Sequence, residues 1–580
     1  MRARLVGVGA LLWTLPLHAQ GQQSDPLAPI TQPGQALPAV LQPAPPSVVV
    51  PKDWRGVFDA IGAGNWASAQ AGISALPASV VTPVAKAELY TAKGSPAVSL
   101  DALQALIAEA PELPQADQLA RMAQARGATT PLLVTPERRM IGLGSAPGRY
   151  RAKPVQGDSA ADQLRDILTP YVKADDAAGA EAQFLLYAPQ MGYEARAELG
   201  QRVAWIYYIL GLDLDARRVA DTWRQGATGE WASQAAWISA LSSWRMGDCN
   251  SASTAFQQVA ALATQRELRA GGFYWAARAE QMCHRPGSVE ALLRSAAGPA
   301  ESTESFYGLL ARETLGMPTH LASDPLLGFD PPVDQLANVR RATELVRIGE
   351  PALAEELIRH QARIGLPTEH HALIQVAKKL DLAAVQLWLA TNGQPGARAA
   401  PADRYPNPKW APLNGWRVDP ALAFGHIVQE SSFRRTAVSG AGAVGLMQVL
   451  PITAQQVSRA RGLPYSIGAL TDPRYNMEYG QCFIELMRGS SATAGQLPRV
   501  IASYNAGPLP VARWATINDK GDPLLWIESI PYWETRFYVP AVLRNMWVYQ
   551  GLNNEDTSTL RSVVQHRWPA FPTTMTHMAN

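Results

Sequence analysis

The chain has 580 residues, more than the roughly 100 to 200 of one domain, so we expect two or three domains. Hydrophobic residues make up 47% and charged residues 17%, which is ordinary for a folded protein. The formal net charge of +2 is nearly neutral, so no nucleic-acid or anionic-membrane partner is predicted.

The first residues have the pattern of a secretory signal peptide. Arg2 and Arg4 precede an apolar run from Leu5 to Leu17, and His18-Ala19 provides a small-residue exit. The run is too short to span a bilayer. We therefore predict that residues 1–19 are a signal peptide and that the mature chain is exported to the periplasm without an integral membrane segment.

Two segments precede the part of the chain that carries the chemistry. Residues 20–51 are rich in proline and poor in charge, which predicts an extended tether without a core. Residues 52–395 carry Ala, Leu, Arg and Glu at helical spacing, broken by short turns. Trp237 and Trp275 take equivalent places in two similar stretches, which favours helix-turn-helix repeats that build a superhelix.

Proline and glycine at residues 396–415 predict an exposed linker. Residues 416–550 follow as a separate, α-rich domain, and residues 551–580 form a polar tail without a chemical signal. The predicted fold class is therefore mainly all-α, with a helical-repeat superhelix followed by a second α-rich domain.

Several side chains before the second domain have a structural and a functional interpretation. Tryptophans at helical intervals favour packing between helices over a sugar-stacking surface; they are Trp205, Trp223, Trp231, Trp237, Trp244 and Trp275. His370 and His371 are adjacent on a predicted helix and face different sides, which argues against a metal site. We predict neither a metal nor a cofactor.

Export permits disulfides, and the chain contains Cys249, Cys283 and Cys482. Cys249 and Cys283 lie near the turns of neighbouring helical units, and the sequence leaves open whether they pair. Cys482 is predicted to be a small buried hydrophobe.

The candidate for chemistry is Glu430. Asp419-Pro420 is a helix start, and Glu430 lies about three turns later, near the apolar side of the helix. A carboxyl placed there is partly desolvated, which raises its pKa. Residues 438–445 read VSGAGAVG, which cannot be a helix, and their glycines let backbone approach a ligand closely.

These residues resemble the soluble lytic transglycosylases, whose catalytic domain is lysozyme-like. The resemblance rests on Glu430-Ser431 with Phe433, on Ser439, and on four stretches in the family's order. The stretches are GAVGLMQ at 442–448, PITA at 451–454, ASYNAG at 502–507 and IPYWETRFYV at 530–539.

The resemblance implies an enzyme that cleaves the β-1,4 bond between N-acetylmuramic acid and N-acetylglucosamine in peptidoglycan. It implies that Glu430 acts first as acid and then as base, leaving 1,6-anhydromuramoyl ends without the use of water. It also implies a set of substrate-binding residues: Ser439, Met447, Gln448, Tyr504, Asn505 and Glu534. A monomer that binds glycan strands is expected.

Two alternatives remain, a goose-type lysozyme-like hydrolase and a helical-repeat scaffold whose catalysis has lapsed. Hydrolysis ordinarily needs a second carboxylate, and residues 431–471 contain no Asp or Glu, although a later acid can fold back onto the site.

Glu534 also has a structural interpretation, as a partner of Arg536. His426 lies one turn before Glu430, where the family usually has an aliphatic residue. It either lowers the pKa of Glu430, if it is charged and close, or is hydrogen-bonded outside the chemistry.

Overall fold

The computed structural model describes residues 48–299, 303–321, 327 and 330–572. The predicted signal peptide and most of the predicted tether lie outside these residues. Among the described helices, none is both long enough and apolar enough to cross a bilayer.

The described residues are predominantly helical. The α-helices before residue 300 are α1 (Trp54–Gly62), α2 (Trp66–Ala75), α3 (Thr82–Thr91), α4 (Leu100–Glu109), α5 (Ala116–Ala125), α6 (Ser159–Lys173), α7 (Ala177–Tyr187), α8 (Tyr193–Ile209), α9 (Asp213–Trp223), α10 (Glu230–Arg245), α11 (Cys249–Leu262), α12 (Arg266–Met282) and α13 (Val289–Ala297). Those after it are α14 (Phe306–Thr314), α15 (Ala337–Ile348), α16 (Pro351–Ile364), α17 (His370–Lys379), α18 (Ala383–Thr391), α19 (Pro420–Glu430), α20 (Pro451–Arg461), α21 (Pro473–Gly489), α22 (Leu497–Ala506), α23 (Pro508–Arg513), α24 (Pro523–Glu528), α25 (Trp533–Leu552) and α26 (Ser558–Val564). Two short strands, β1 (Ile141–Gly142) and β2 (Asn392–Gly393), pair antiparallel.

The chain forms two compact units. One contains α1–α5 together with α15 and α16, and the other contains the remaining helices and both strands. The domain boundaries predicted from composition stay predictions.

Helices α8–α14 pack in sequence, each against the next, as repeats of paired helices do. Trp237 in α10 and Trp275 in α12 are both buried, and Phe256 of α11 lies between them, 5.4 and 5.6 Å from their ring centroids. Trp231 is buried as well, and the other three tryptophans are partly buried against the same core. The predicted packing role of these side chains is therefore confirmed.

His370 and His371 point in different directions. The buried His370 ring shares a hydrogen bond of 2.9 Å with the carbonyl oxygen of Leu389, whereas His371 lies 2.7 Å from Asp330. Within the described part of the chain, no group of three or more His, Cys, Asp or Glu side chains is arranged to hold a metal ion.

Cys249 and Cys283 form a disulfide, which settles the alternative that the sequence left open. It joins the start of α11 to the residue that ends α12, across a sequence separation of 34. The remaining cysteine, Cys482, is free and buried, as predicted.

We expect the double substitution of Cys249 and Cys283 by serine to lower the free energy of unfolding by about 2 to 4 kcal/mol, because the bridge closes a long loop in the unfolded chain. Chemical denaturation of the oxidised protein and the variant measures this loss. Cys482→Ser is the matched control for a thiol that closes no loop. Equal midpoints for wild type and the double variant would contradict the prediction.

The candidate site depends on a close crossing of α19 and α25. At Gly425 a Cβ atom would lie 3.1 Å from the carbonyl oxygen of Val542, so any larger residue would push the two backbones apart by a few tenths of an ångström. Asn545 of α25 donates to the Gly425 carbonyl at 3.2 Å, and Gln550 donates to Asp419 at 2.8 Å. These contacts set α25 along the length of α19.

Helix α25 also contacts earlier residues of the same compact unit. Arg544 donates to the carbonyl oxygen of Pro147, and the Arg536 guanidinium lies 3.7 Å from the ring centroid of Trp205. The described part of the C-terminal segment packs back as well: Thr559 of α26 accepts a hydrogen bond from Trp547 at 2.9 Å. The position of α25 is thus defined on several sides.

Candidate active site

Glu430 is the last residue of α19, as the sequence predicts. Asp419 caps the helix by accepting from the Ala421 amide at 2.8 Å, and Pro420 occupies the first turn. Leu422 and Ile427 are fully buried, which places Glu430 beside the apolar side of the helix. The residue itself is partly exposed, although its carboxyl is almost surrounded by protein.

The environment of this carboxyl keeps it protonated near neutral pH. Burial raises the pKa of Glu430 to about 7, and the negative charge of Glu534 acts in the same direction. The Tyr538 hydroxyl, which donates to Oε1 at 2.5 Å, opposes this rise because it stabilises the carboxylate. Burial therefore outweighs the hydrogen bond, and the group can act as an acid at neutral pH.

His426 lies directly behind this pair. Its Nδ1 is 2.7 Å from the Tyr538 hydroxyl, its ring is fully buried, and its centroid is 4.5 Å from that of Tyr504. Burial lowers the pKa of His426 to about 3, so the ring is neutral at the pH at which Glu430 titrates. Burial of the ring therefore argues against a charged His426 that lowers the pKa of Glu430, one of the two interpretations above.

The glycine-rich loop (residues 438–449) borders the site and is not helical, as predicted. Antiparallel bridges join Val444 to Val438 and to Val449. Gly442 and Gly445 both have φ of +81°, a conformation that favours glycine. Gln448 has φ of +48° without being a glycine, and strain of this kind is often found at ligand sites.

Asn476 of α21 holds this loop from below. Its side-chain oxygen accepts from the Met447 amide at 2.7 Å, and its nitrogen donates to the carbonyls of Val444 and Leu470 at 2.9 and 2.8 Å. The residue is fully buried, so the three bonds are not exchanged with water. The sequence analysis missed Asn476, whose only signal is its place at the end of the TDPRYN stretch (residues 471–476), where α21 begins.

Two of the predicted binding residues belong to the loop. The Ser439 hydroxyl accepts from the Ala443 amide at 3.0 Å, which leaves its own hydrogen free to donate. The Gln448 side-chain nitrogen donates to the carbonyls of Ala437 and Gly445 at 3.1 and 2.9 Å. Both side chains are partly exposed.

Met447 and Tyr504 are two further predicted binding residues, and a hydrogen bond joins them. Met447 is fully buried, and its side chain fills the space beside Gly480, where a Cβ would overlap its sulfur. Direct contact between Met447 and a sugar stays a prediction, which this burial disfavours. Tyr504, at the end of α22, is partly exposed and donates to the Met447 carbonyl at 2.7 Å.

Asn505 and Gly507 end the same helix. The Asn505 side-chain oxygen accepts from Thr535 of α25 at 2.6 Å, which ties the ends of two helices together. Gly507 has φ of +83° and ψ of 162°, a combination almost restricted to glycine. Gly507 thus ends α22 in a conformation that residues with a Cβ rarely adopt.

Glu534 lies exposed in the first turn of α25. It forms no ion pair with Arg536, which is buried and donates to the Ile530 carbonyl at 3.1 Å instead. The structural interpretation of Glu534 as a partner of Arg536 is therefore wrong. Its charge reaches Glu430 instead, so a later acid does fold back toward the site.

Tyr538 is a site residue that the sequence analysis did not single out within the IPYWETRFYV stretch. It is buried, and its hydroxyl contacts Glu430. The two residues are 108 positions apart, so no local pattern could pair them.

Comparison with known proteins identifies this region. The family described as Transglycosylase SLT domain matches residues 411–527. The chain is 32% identical over 155 residues to a putative soluble lytic murein transglycosylase of Haemophilus influenzae, covering 26% of each protein. It is 34% identical over 136 residues to the soluble lytic murein transglycosylase of Escherichia coli, covering 22% of this chain and 20% of that one. The matched part thus spans about a quarter or less of these relatives.

The likeness in fold extends further than the likeness in sequence. The 70 kDa soluble lytic transglycosylase of Escherichia coli superposes with a TM-score of 0.51 at 16% identity, covering 88% of this chain and 98% of that one. At this identity the match speaks for the fold, and it confirms the predicted all-α class. Together with the matched motifs, it confirms the resemblance found in the sequence: residues 411–527 match the family described as Transglycosylase SLT domain.

Proposed function

We propose that the protein is a lytic transglycosylase that cleaves the β-1,4 bond between N-acetylmuramic acid and N-acetylglucosamine in peptidoglycan. Its products carry 1,6-anhydromuramoyl ends. The observation that carries the proposal is the state of Glu430: its carboxyl is almost surrounded by protein, its pKa is raised to about 7, and it faces Tyr504, whose hydroxyl donates to the Met447 carbonyl of the glycine-rich loop. Such a group can both give and take a proton near neutral pH.

In the first step Glu430 acts as the acid. When Oε1 accepts from Tyr538, the acidic proton resides on Oε2. This proton passes to the glycosidic oxygen as the bond between that oxygen and C1 of the muramoyl unit breaks. The 2-acetamido group of the substrate stabilises the positive charge at C1. It takes the role that a second protein carboxylate has in most glycosidases.

In the second step Glu430, now a carboxylate, acts as the base. It takes the proton of the muramoyl C6 hydroxyl, and the C6 oxygen bonds to C1. Glu430 ends the cycle protonated, as it began. A pKa near neutrality suits both steps, since neither protonation state is strongly disfavoured.

The other site residues are proposed as substrate contacts. Ser439, with a hydroxyl hydrogen free to donate, suits the carbonyl of the 2-acetamido group. Gln448, Tyr504 and Asn505 border the sugar next to the cleaved bond. Met447 contributes by supporting the loop, because its side chain is buried.

The product ends distinguish this proposal from a hydrolase. Purified sacculi digested with the full chain and analysed by mass spectrometry should release muropeptides lighter by one water than their hydrolysed counterparts. Reducing ends would establish hydrolysis instead. Release of nothing by the native protein would favour the scaffold that has lost its activity.

Glu534 is the carboxylate that a hydrolytic mechanism would need, so its substitution is informative. Because the negative charge of Glu534 raises the pKa of Glu430, Glu534→Gln should move the alkaline limb of kcat/KM to lower pH by about half a unit. The pH profile of anhydro-muropeptide release measures this shift. Glu485→Gln on α21 is the matched control, and abolition of all activity by Glu534→Gln would point to hydrolysis.

We further propose a periplasmic location after removal of residues 1–19, action as a monomer, and glycan strands as the partner. In this proposal the repeats of residues 52–395 position the strands, and residues 416–550 perform the chemistry. Its support is the likeness in fold to a soluble lytic transglycosylase along 88% of the chain.

A further inference from the structure

His426, Tyr538 and Glu430 form a chain of hydrogen bonds that ends at the catalytic carboxyl. His426 Nδ1 lies 2.7 Å from the Tyr538 hydroxyl, which lies 2.5 Å from Glu430 Oε1. All three side chains lie at the crossing of α19 and α25, which Gly425 makes close. A histidine here departs from the aliphatic residue usual at this place in the resembled family.

The two hydrogen bonds can have either of two donor-to-acceptor directions. In the first, Nδ1–H of His426 donates to Tyr538, and Tyr538 donates to Glu430. In the second, a proton on Glu430 Oε1 is donated to Tyr538, which donates to an unprotonated Nδ1. The neutral imidazole then carries its hydrogen on Nε2.

The surroundings of Nε2 favour the first direction. Nε2 is buried and has no hydrogen-bond partner among the described residues. A buried N–H without an acceptor costs about 1 to 3 kcal/mol. An Nε2 that carries no hydrogen leaves no buried donor unpaired, and a hydrogen on Nδ1 has the Tyr538 oxygen as its acceptor, so the proton belongs on Nδ1.

We propose that His426 is a positioning residue that sets the direction of this chain, so that Tyr538 always donates to Oε1 and the catalytic proton stays on Oε2. The inference rests on the proposed function, because it concerns the same acid. His426 acts as a neutral donor and touches no substrate. Its effect reaches the chemistry only through Tyr538.

Few titratable groups face Glu430, so their effects on its pKa can be told apart. Glu534 and Tyr538 face Glu430 from α25, and Tyr504 faces it from α22. His426 itself faces Tyr538 and Tyr504. His426 stays neutral across the working pH range, so any change in the pH profile on its substitution comes from the hydrogen bonds.

Substitution of His426 should therefore shift the pH profile. In His426→Leu the Tyr538 hydroxyl loses its donor and bonds the carboxylate less strongly, so the pKa of Glu430 rises. We expect the alkaline limb of kcat/KM to move up by about half a pH unit to one unit and kcat to fall about tenfold, with little change in KM. In His426→Asn the side-chain nitrogen can replace Nδ1 as the donor. This variant should restore most of the wild-type pH profile and most of the wild-type kcat.

A double-mutant cycle tests the route through Tyr538. Tyr538→Phe should move the limb at least as far as His426→Leu, and the double variant should match Tyr538→Phe alone. Leu422→Ala removes buried volume from the same helix and should lower stability without moving the limb. Additive shifts, or a limb that His426→Leu leaves in place, would overturn the proposal.

A direct observation of the tautomer covers the case in which His426→Leu or Tyr538→Phe does not fold. Nitrogen NMR of the full chain labelled at histidine, with His426 assigned by the signal missing from His426→Asn, should show Nδ1 protonated and Nε2 unprotonated between pH 5 and 8. A proton on Nε2 would overturn the inference. Release of reducing ends by the wild type would instead overturn the proposed function, while these nitrogen signals would still test His426.

Discussion

Glu430→Gln should reduce release of anhydro-muropeptides by about 10³-fold or more, the largest effect we expect from a single substitution. One residue supplies both the acid and the base, so its removal affects both steps. The amide keeps the size of the side chain, and Gln can still accept from Tyr538 through its oxygen. The loss therefore reports the missing proton transfer instead of a collapsed site. Mass spectrometry of sacculus digests measures it.

The same substitution should also change stability in a way that depends on pH. The pKa of Glu430 in the folded state, about 7, lies above its usual value of 4.5, so the folded protein binds this proton more tightly than the unfolded chain. The cost of ionising Glu430 is absent below pH 4.5 and fully present above pH 7. Glu430→Gln should thus stabilise the protein at pH 8 by about 1 to 3 kcal/mol and have little effect at pH 4.

Glu485→Gln serves as the control for both measurements. Glu485 lies on α21, where it pairs with Arg417 and Arg461 and has no contact with the site. Its substitution should change activity less than twofold. Unchanged glycan release by Glu430→Gln would remove Glu430 from the mechanism and favour the scaffold alternative.

Gly445→Ala should disrupt the glycine-rich loop and, with it, activity. A Cβ at this position would overlap the carbonyl oxygen of Leu470 and would lie 2.8 Å from Cγ of Asn476. Neither neighbour can move easily, because Asn476 is buried and holds the loop through three hydrogen bonds. We expect a loss of about 3 kcal/mol or more in the free energy of unfolding, measured by chemical denaturation.

Gly442→Ala is a matched control for this prediction. Gly442 has the same φ of +81° in the same loop, but nothing lies within 4 Å of the added Cβ. Its substitution should cost only the strain of a positive φ, about 1 to 2 kcal/mol. Similar losses at both positions would mean that backbone strain, and not the close approach to Asn476, limits the loop.

Much of the fold follows from local pattern. Asp419-Pro420 predicts the start of α19, and Pro451 predicts the start of α20, because capping and the fixed φ of proline act within a few residues. The packing of Trp237 and Trp275 follows from their spacing on paired helices. The candidate acid was found in the same way, since its helix and the glycines after it are adjacent in the chain.

The contacts of that acid could not be found in this way. Glu534 had a plausible partner in Arg536, two residues away, but helix α25 turns Arg536 inward to Trp205 and leaves Glu534 beside the site. Asn476 had no signal, because the carbonyls and the amide that it binds come from the loop before it and from Leu470.

The sequence by itself predicted the all-α class, the export signal, the resemblance to the soluble lytic transglycosylases and Glu430 as the candidate acid. Only the tertiary structure decided the pKa of Glu430 and which groups raise or lower it. The reason is physical: helix starts and glycine turns depend on neighbours in the chain, whereas a pKa depends on burial and on charges from any part of the fold. His426 and Tyr538, 112 positions apart, meet only because α19 and α25 cross at Gly425.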